Sequence, residues 1–115
     1  MANYILLMTL TREGQEAVLR DPDFVVNAAA DTHVPGVQGL GLYGVLGPYD
    51  FVSIIEAPDN DAAARYSIQM GVRAGVHIAT LPAVPISLLH ERESAESPEL
   101  TTGVELAPGS LPGVN

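Results

Sequence analysis

Apolar positions along this chain fall into short runs separated by turn residues, and the spacing changes from run to run. Residues 3–10 (NYILLMTL) are apolar and partly β-branched, which predicts a strand. Thr11 then reads as an N-cap, with a short helix over Arg12 to Leu19. Asp21-Pro22 predicts a second start, Asp21 as N-cap and Pro22 as first helical residue. Phe24, Val25, Ala28, Ala29 and Thr32 follow at helical spacing, and Pro35-Gly36 ends the run. Residues 37–46 (VQGLGLYGVL) predict a glycine-rich strand, joined through Gly47-Pro48-Tyr49-Asp50 to a strand over 51–57 (FVSIIEA). Asp59 or Asn60 caps a helix to about Ala74, with Ala63, Tyr66 and Met70 facing inward. Its outer stripe is Asp61, Arg65, Gln69 and Arg73. Gly75 ends the helix, 76–81 (VHIATL) predicts the last strand, and Pro85 to Arg92 a short final helix.

The order strand, helix, strand, strand, helix, strand predicts an α+β, ferredoxin-like βαββαβ fold, a four-stranded antiparallel sheet with its helices on one face. Such a sheet should alternate apolar with polar residues, and these strands barely do. Tyr4, Leu6 and Met8 lie on one face of the first strand, yet Ile5 and Leu7 lie on the other. Phe51 and Ile55 oppose Val52 and Ile54, and Ile78 opposes Ala79 and Leu81. In the second strand Leu40, Leu42 and Leu46 stand against Val37, Tyr43 and Val45. Two helices cannot cover both faces, so the second face is expected to meet a second copy of the chain, as a homodimer or larger homo-oligomer.

Composition narrows the chemistry. Five basic residues, all arginine, face fourteen acidic ones for a net charge of −9. That excludes a nucleic-acid partner and docking on anionic lipid, both of which need a basic surface. Without lysine there is no Schiff-base catalysis, and without cysteine no disulfide, thiolate nucleophile or Cys-ligated metal. No apolar stretch approaches ~20 residues and the N-terminal run has no basic flank, so a cytoplasmic domain is expected. Residues 1–92 read as the domain. Residues 93–115, with four acids, three prolines, three glycines and no basic residue, read as a flexible tail.

The run Gly39-Leu40-Gly41-Leu42-Tyr43-Gly44 has the letters of a dinucleotide fingerprint, but a strand follows it, not a helix. The glycines point instead to a bulge, a bend, or the close approach of a backbone or ligand. His33, His77 and His90 lack metal-binding spacing; Asp31-x-His33 at a helix end could hold an ion, but a histidine there is explained by the helix dipole, and no metal or cofactor is expected. His77 shares a face with Ala79 and Leu81. It reads as an interface histidine or, where that face lines a dimer interior, as a proton-transfer group or axial ligand. Asp50 and Glu56 begin and end one strand, ~20 Å apart at ~3.3 Å per residue. They therefore suit turn and strand-end hydrogen bonds better than joint catalysis.

The stretch Gly47-Pro48-Tyr49-Asp50-Phe51-Val52-Ser53-Ile54-Ile55-Glu56-Ala57-Pro58-Asp59 resembles the signature of the GYD domain family, a Gly-x-Tyr-Asp turn before an apolar strand ending in Glu-Ala-Pro. The opening strand with Thr11-Arg12-Glu13-Gly14, the alanine-rich helix from Asp61 and Gly75 with Thr80-Leu81 extend the similarity over roughly residues 3–84. The chain departs from it at Val84, where an aromatic residue is usual, in its glycine-rich second strand and in its acidic tail. The resemblance implies a dimeric α/β barrel, with Tyr49 and Asp50 either tying the hairpin or offering hydrogen bonds at a cavity rim. A barrel interior would be apolar, with few polar groups to hold a hydrophobic small molecule: Tyr43, Ser53, His77 and Thr80. Beside that binding role stands a cofactor-independent monooxygenase, isomerase or cyclase, with His77 or Asp50 as catalytic base. The tail segment Gly109-Ser110-Leu111 resembles the docking segments of encapsulin cargo and implies a protein partner.

Overall fold

The computed structural model describes residues 1–87. They form β1 (Ala2–Leu10), α1 (Arg12–Arg20), α2 (Phe24–Ala30), β2 (Gln38–Gly44), β3 (Phe51–Ala57), α3 (Asn60–Ala74) and β4 (Val76–Ala83). The strands build one antiparallel sheet in the order β2-β3-β1-β4. This is the expected α+β, ferredoxin-like architecture, with two helices in the first crossover and one in the second. Met1–Ala83 form one compact unit. The tail over 93–115 and residues 88–92 of the final helix expected over 85–92, His90 included, lie outside the described residues.

The core lies between the sheet and the helices. Tyr4, Leu6 and Met8 of β1 meet Ile55 and Ala57 of β3, with Val25 and Ala28 of α2 above them. From α3 come Ala62, Ala63, Tyr66, Met70 and Ala74, whose spacing puts them on one helical stripe. The alanines let the helix lie close to the sheet. Full burial of Leu6, Met8 and Ile55 stabilises by ~1.5–3 kcal/mol for each side chain. Local chemistry bounds the helices: the Thr11 hydroxyl accepts from the Gly14 N–H at 3.0 Å, and the Asp59 carboxylate from that of Ala62 at 2.9 Å. Gly75 ends α3 at φ 69°, in the left-handed region that glycine occupies without strain.

Three boundaries differ from expectation. Helix α2 begins at Phe24 rather than at Pro22, because the Asp21 carboxylate accepts from the Asp23 N–H at 3.1 Å and holds a turn there. Strand β2 stops at Gly44 and leaves Leu46 fully exposed, since the Val45 N–H turns back onto the Asp50 carbonyl at 3.0 Å. Strand β4 runs on through Pro82 to Ala83. It is an edge strand, and an edge tolerates a residue that cannot donate outward.

Candidate functional site

The uncovered face of the sheet is ordered in rows by the strand register. Tyr43, Val52, Leu7 and Ala79 stand side by side across the four strands, and Gly41, Ile54, Ile5 and Leu81 form the next row. Beyond these apolar rows, Gln38, Glu56 and Asn3 close one end, while Thr9 and His77 pair at the other. Leu81 is 44% and Tyr43 56% exposed, and Ile5, Leu7, Val52 and Ile54 are half-buried by their neighbours alone. An apolar centre with a polar margin is the anatomy of a contact surface. Glu56, expected to satisfy backbone at the strand end, instead belongs to that margin.

Asp50 and Tyr49 sit in the hairpin at the β3 entrance. The Asp50 carboxylate accepts from the Leu10 N–H at 2.8 Å, and the Asp50 N–H donates to the Met8 carbonyl at 2.8 Å. One residue thus ties the hairpin to the last turn of β1. On the other side of β1, the Gly75 carbonyl accepts from the Thr11 N–H at 2.9 Å and from its hydroxyl at 3.0 Å. This junction needs two glycines: a Cβ on Gly14 would lie 2.1 Å from the Gly75 carbonyl oxygen. His77 follows it, exposed and paired with Thr9. Asp50 and His77 therefore share one end of the sheet with β1 between them, about two strand spacings or ~10 Å apart. Tyr49 is partly exposed beside them.

Ser53 and Thr80 face the other way. Ser53 pairs with Leu42 on the helix side, is buried, and donates to the Gly41 carbonyl at 3.1 Å. Thr80 shares a 2.6 Å hydrogen bond with Ser67 of α3, in a groove between α3 and β4 of about 430 Å³. In that groove Tyr4 also donates to Asn60, so its polar side chains satisfy one another. The structure thus gathers Tyr43 and His77 on the open face and Tyr49 with Asp50 in the hairpin, and it sends Ser53 and Thr80 behind the sheet. Sequence reasoning passed over Tyr66 as a core residue. Its signal was a phenol, in place of a ring without a polar handle, on the buried stripe of an alanine-rich helix. Among the described residues no group of three or more His, Asp or Glu could hold a metal, and no helix is long and apolar enough to cross a membrane.

A model of the GYD domain matches residues 4–91. The chain is also 37% identical over 94 residues to a Thermus thermophilus protein named glutamine synthetase and cystathionine beta-lyase binding protein, a match covering 80% of this chain and 98% of that one. The chain belongs to the GYD domain family.

Proposed function

We propose that this GYD-domain protein is a binding protein that works as a homo-oligomer, two copies closing their open sheet faces on each other as a dimeric α/β barrel. The observation that carries this reading is the pair of apolar rows, Tyr43-Val52-Leu7-Ala79 and Gly41-Ile54-Ile5-Leu81, set between polar ends. Burying such a face against its twin completes the desolvation that half-covered Ile5, Leu7, Val52 and Ile54 have begun. The interior so formed is apolar, with Tyr43 and His77 as polar groups for a hydrophobic small molecule. The relative's name supports protein partners of the enzyme class, met by the outer surface of the oligomer. A second reading, a cofactor-independent enzyme, draws on the exposed imidazole of His77 at the margin of that face, with Asp50 across β1.

Native mass spectrometry beside the denatured mass tests the first reading. A dimer or larger species is expected, and any added mass that leaves on denaturation identifies the small molecule. A monomer at micromolar concentration contradicts it.

A further inference from the structure

On the helix side of the sheet, between α2 and β2, lies a solvent-open cavity of about 590 Å³. That volume is within the ~300–1,000 Å³ range of small-molecule sites. Its walls are apolar, from Val26 and Ala29 of α2 and from Val37, Leu40 and Leu42. Three buried polar side chains line it, Thr32, Ser53 and Tyr66, each only 6% exposed, with His33 and Gln38 exposed at its edge. The Thr32 hydroxyl is already committed to the Ala28 carbonyl at 2.7 Å. The Ser53 hydroxyl donates to the Gly41 carbonyl and keeps its lone pairs. The Tyr66 hydroxyl makes no hydrogen bond among the described residues, unlike that of Tyr4 in the α3–β4 groove. A buried phenol without a partner is costly, and an acceptor within the cavity relieves that cost. Burial raises the Tyr66 pKa above its ordinary value of 10.0, so at neutral pH the group is a donor.

Two further features define the occupant. The lining holds no Asp, Glu or Arg, and its one ionisable side chain besides the Tyr66 phenol, His33, is exposed at the edge, so the buried part of the site offers no charge to compensate a charged ligand. The wall at Gly39 is bare backbone, and a Cβ built there meets nothing within 4 Å. This glycine lies at the irregularity between Gly39 and Gly41, where one extra residue loosens β2 from β3 and opens the space.

We infer that the α2–β2 cavity binds an uncharged, mostly apolar carbonyl compound, whose carbonyl oxygen accepts a hydrogen bond from the Tyr66 hydroxyl. This goes beyond the sheet-face reading, because the cavity lies within one protomer behind the sheet and does not depend on assembly.

The test is fluorescence titration of the full chain with an uncharged ketone probe, propionyl-dimethylaminonaphthalene, beside dimethylaminonaphthalene, which lacks the carbonyl. The ketone is expected to bind saturably with a blue-shifted emission. Tyr66→Phe should weaken the ketone by ~3–10-fold and leave the carbonyl-free probe unchanged, the span of one neutral hydrogen bond. Gly39→Val, which fills open space without a backbone clash, should abolish binding of both while circular dichroism and the melting midpoint stay native. Leu81→Glu, on the open face, should leave both affinities as they were. The inference is overturned by absence of saturable binding, by equal effects of Tyr66→Phe on both probes, or by a probe that Leu81→Glu displaces and Gly39→Val does not.

Discussion

Leu6 and Leu7 are neighbours in the central strand of the sheet, one on each face, and they live in different solvents. Leu6 is fully buried with Met8 and Ile55 beneath the helices, whereas Leu7 stands half-buried between Val52 and Ala79 on the face the helices leave open. The chain places apolar side chains on the open face as well as on the covered one. A lone apolar side chain on a surface is ordinary, but two complete rows in register with polar ends form one continuous patch, and such patches mark interaction sites. The covered face explains the fold, and the open face carries the proposed contact with a second copy.

Leu6→Ala is expected to cost about 2–5 kcal/mol, because the helices above it cannot collapse into the space. Denaturant unfolding measures this, and the loss should not depend on protein concentration. Leu7→Ala is the informative partner: in the proposed assembly a second copy supplies part of its burial, so its cost should grow with protein concentration. A smaller effect is expected of Asp50→Ala, about 1–3 kcal/mol, from the orphaned Leu10 N–H and the loosened hairpin. Asp50→Asn keeps an acceptor oxygen and should recover part of that loss in the same unfolding experiment.

The order of elements was legible because periodicity changes cleanly along the chain, and because Thr11, Asp59 and Gly75 carry the cap chemistry that bounds helices. The start of α2 was not, since Asp21 is as competent in a turn as at a cap and only its acceptance from the Asp23 N–H decides. The faces of β2 were half legible. Alternation puts Leu40 and Leu42 together, but the irregularity between Gly39 and Gly41 inverts the parity before Leu42, so Gln38 pairs with Glu56 on the open face. Parity along β3 and β4 was intact and showed which hydrophobics oppose each other. Alternation along β4 already sets Thr80 on the face opposite His77. It could not say which face the helices take, and that decides whether Ser53 and Thr80 or Val52 and His77 lie behind the sheet. Asp50 carried its signal in the turn, yet the register that brings Leu10 and Met8 to it is a tertiary fact.

The smallest expected change in the folded protomer belongs to Leu81→Glu, within about ±0.5 kcal/mol, because that side chain is 44% exposed. Its effect on assembly should be large, since each copy would bring a carboxylate into the desolvated contact. Sedimentation velocity on the native chain and on this variant is the direct measurement. The account predicts a dimer or larger species for the native chain, and for Leu81→Glu a shift to monomer at an unchanged melting midpoint. A native chain that sediments as a monomer, or a variant that keeps the native assembly, would contradict it.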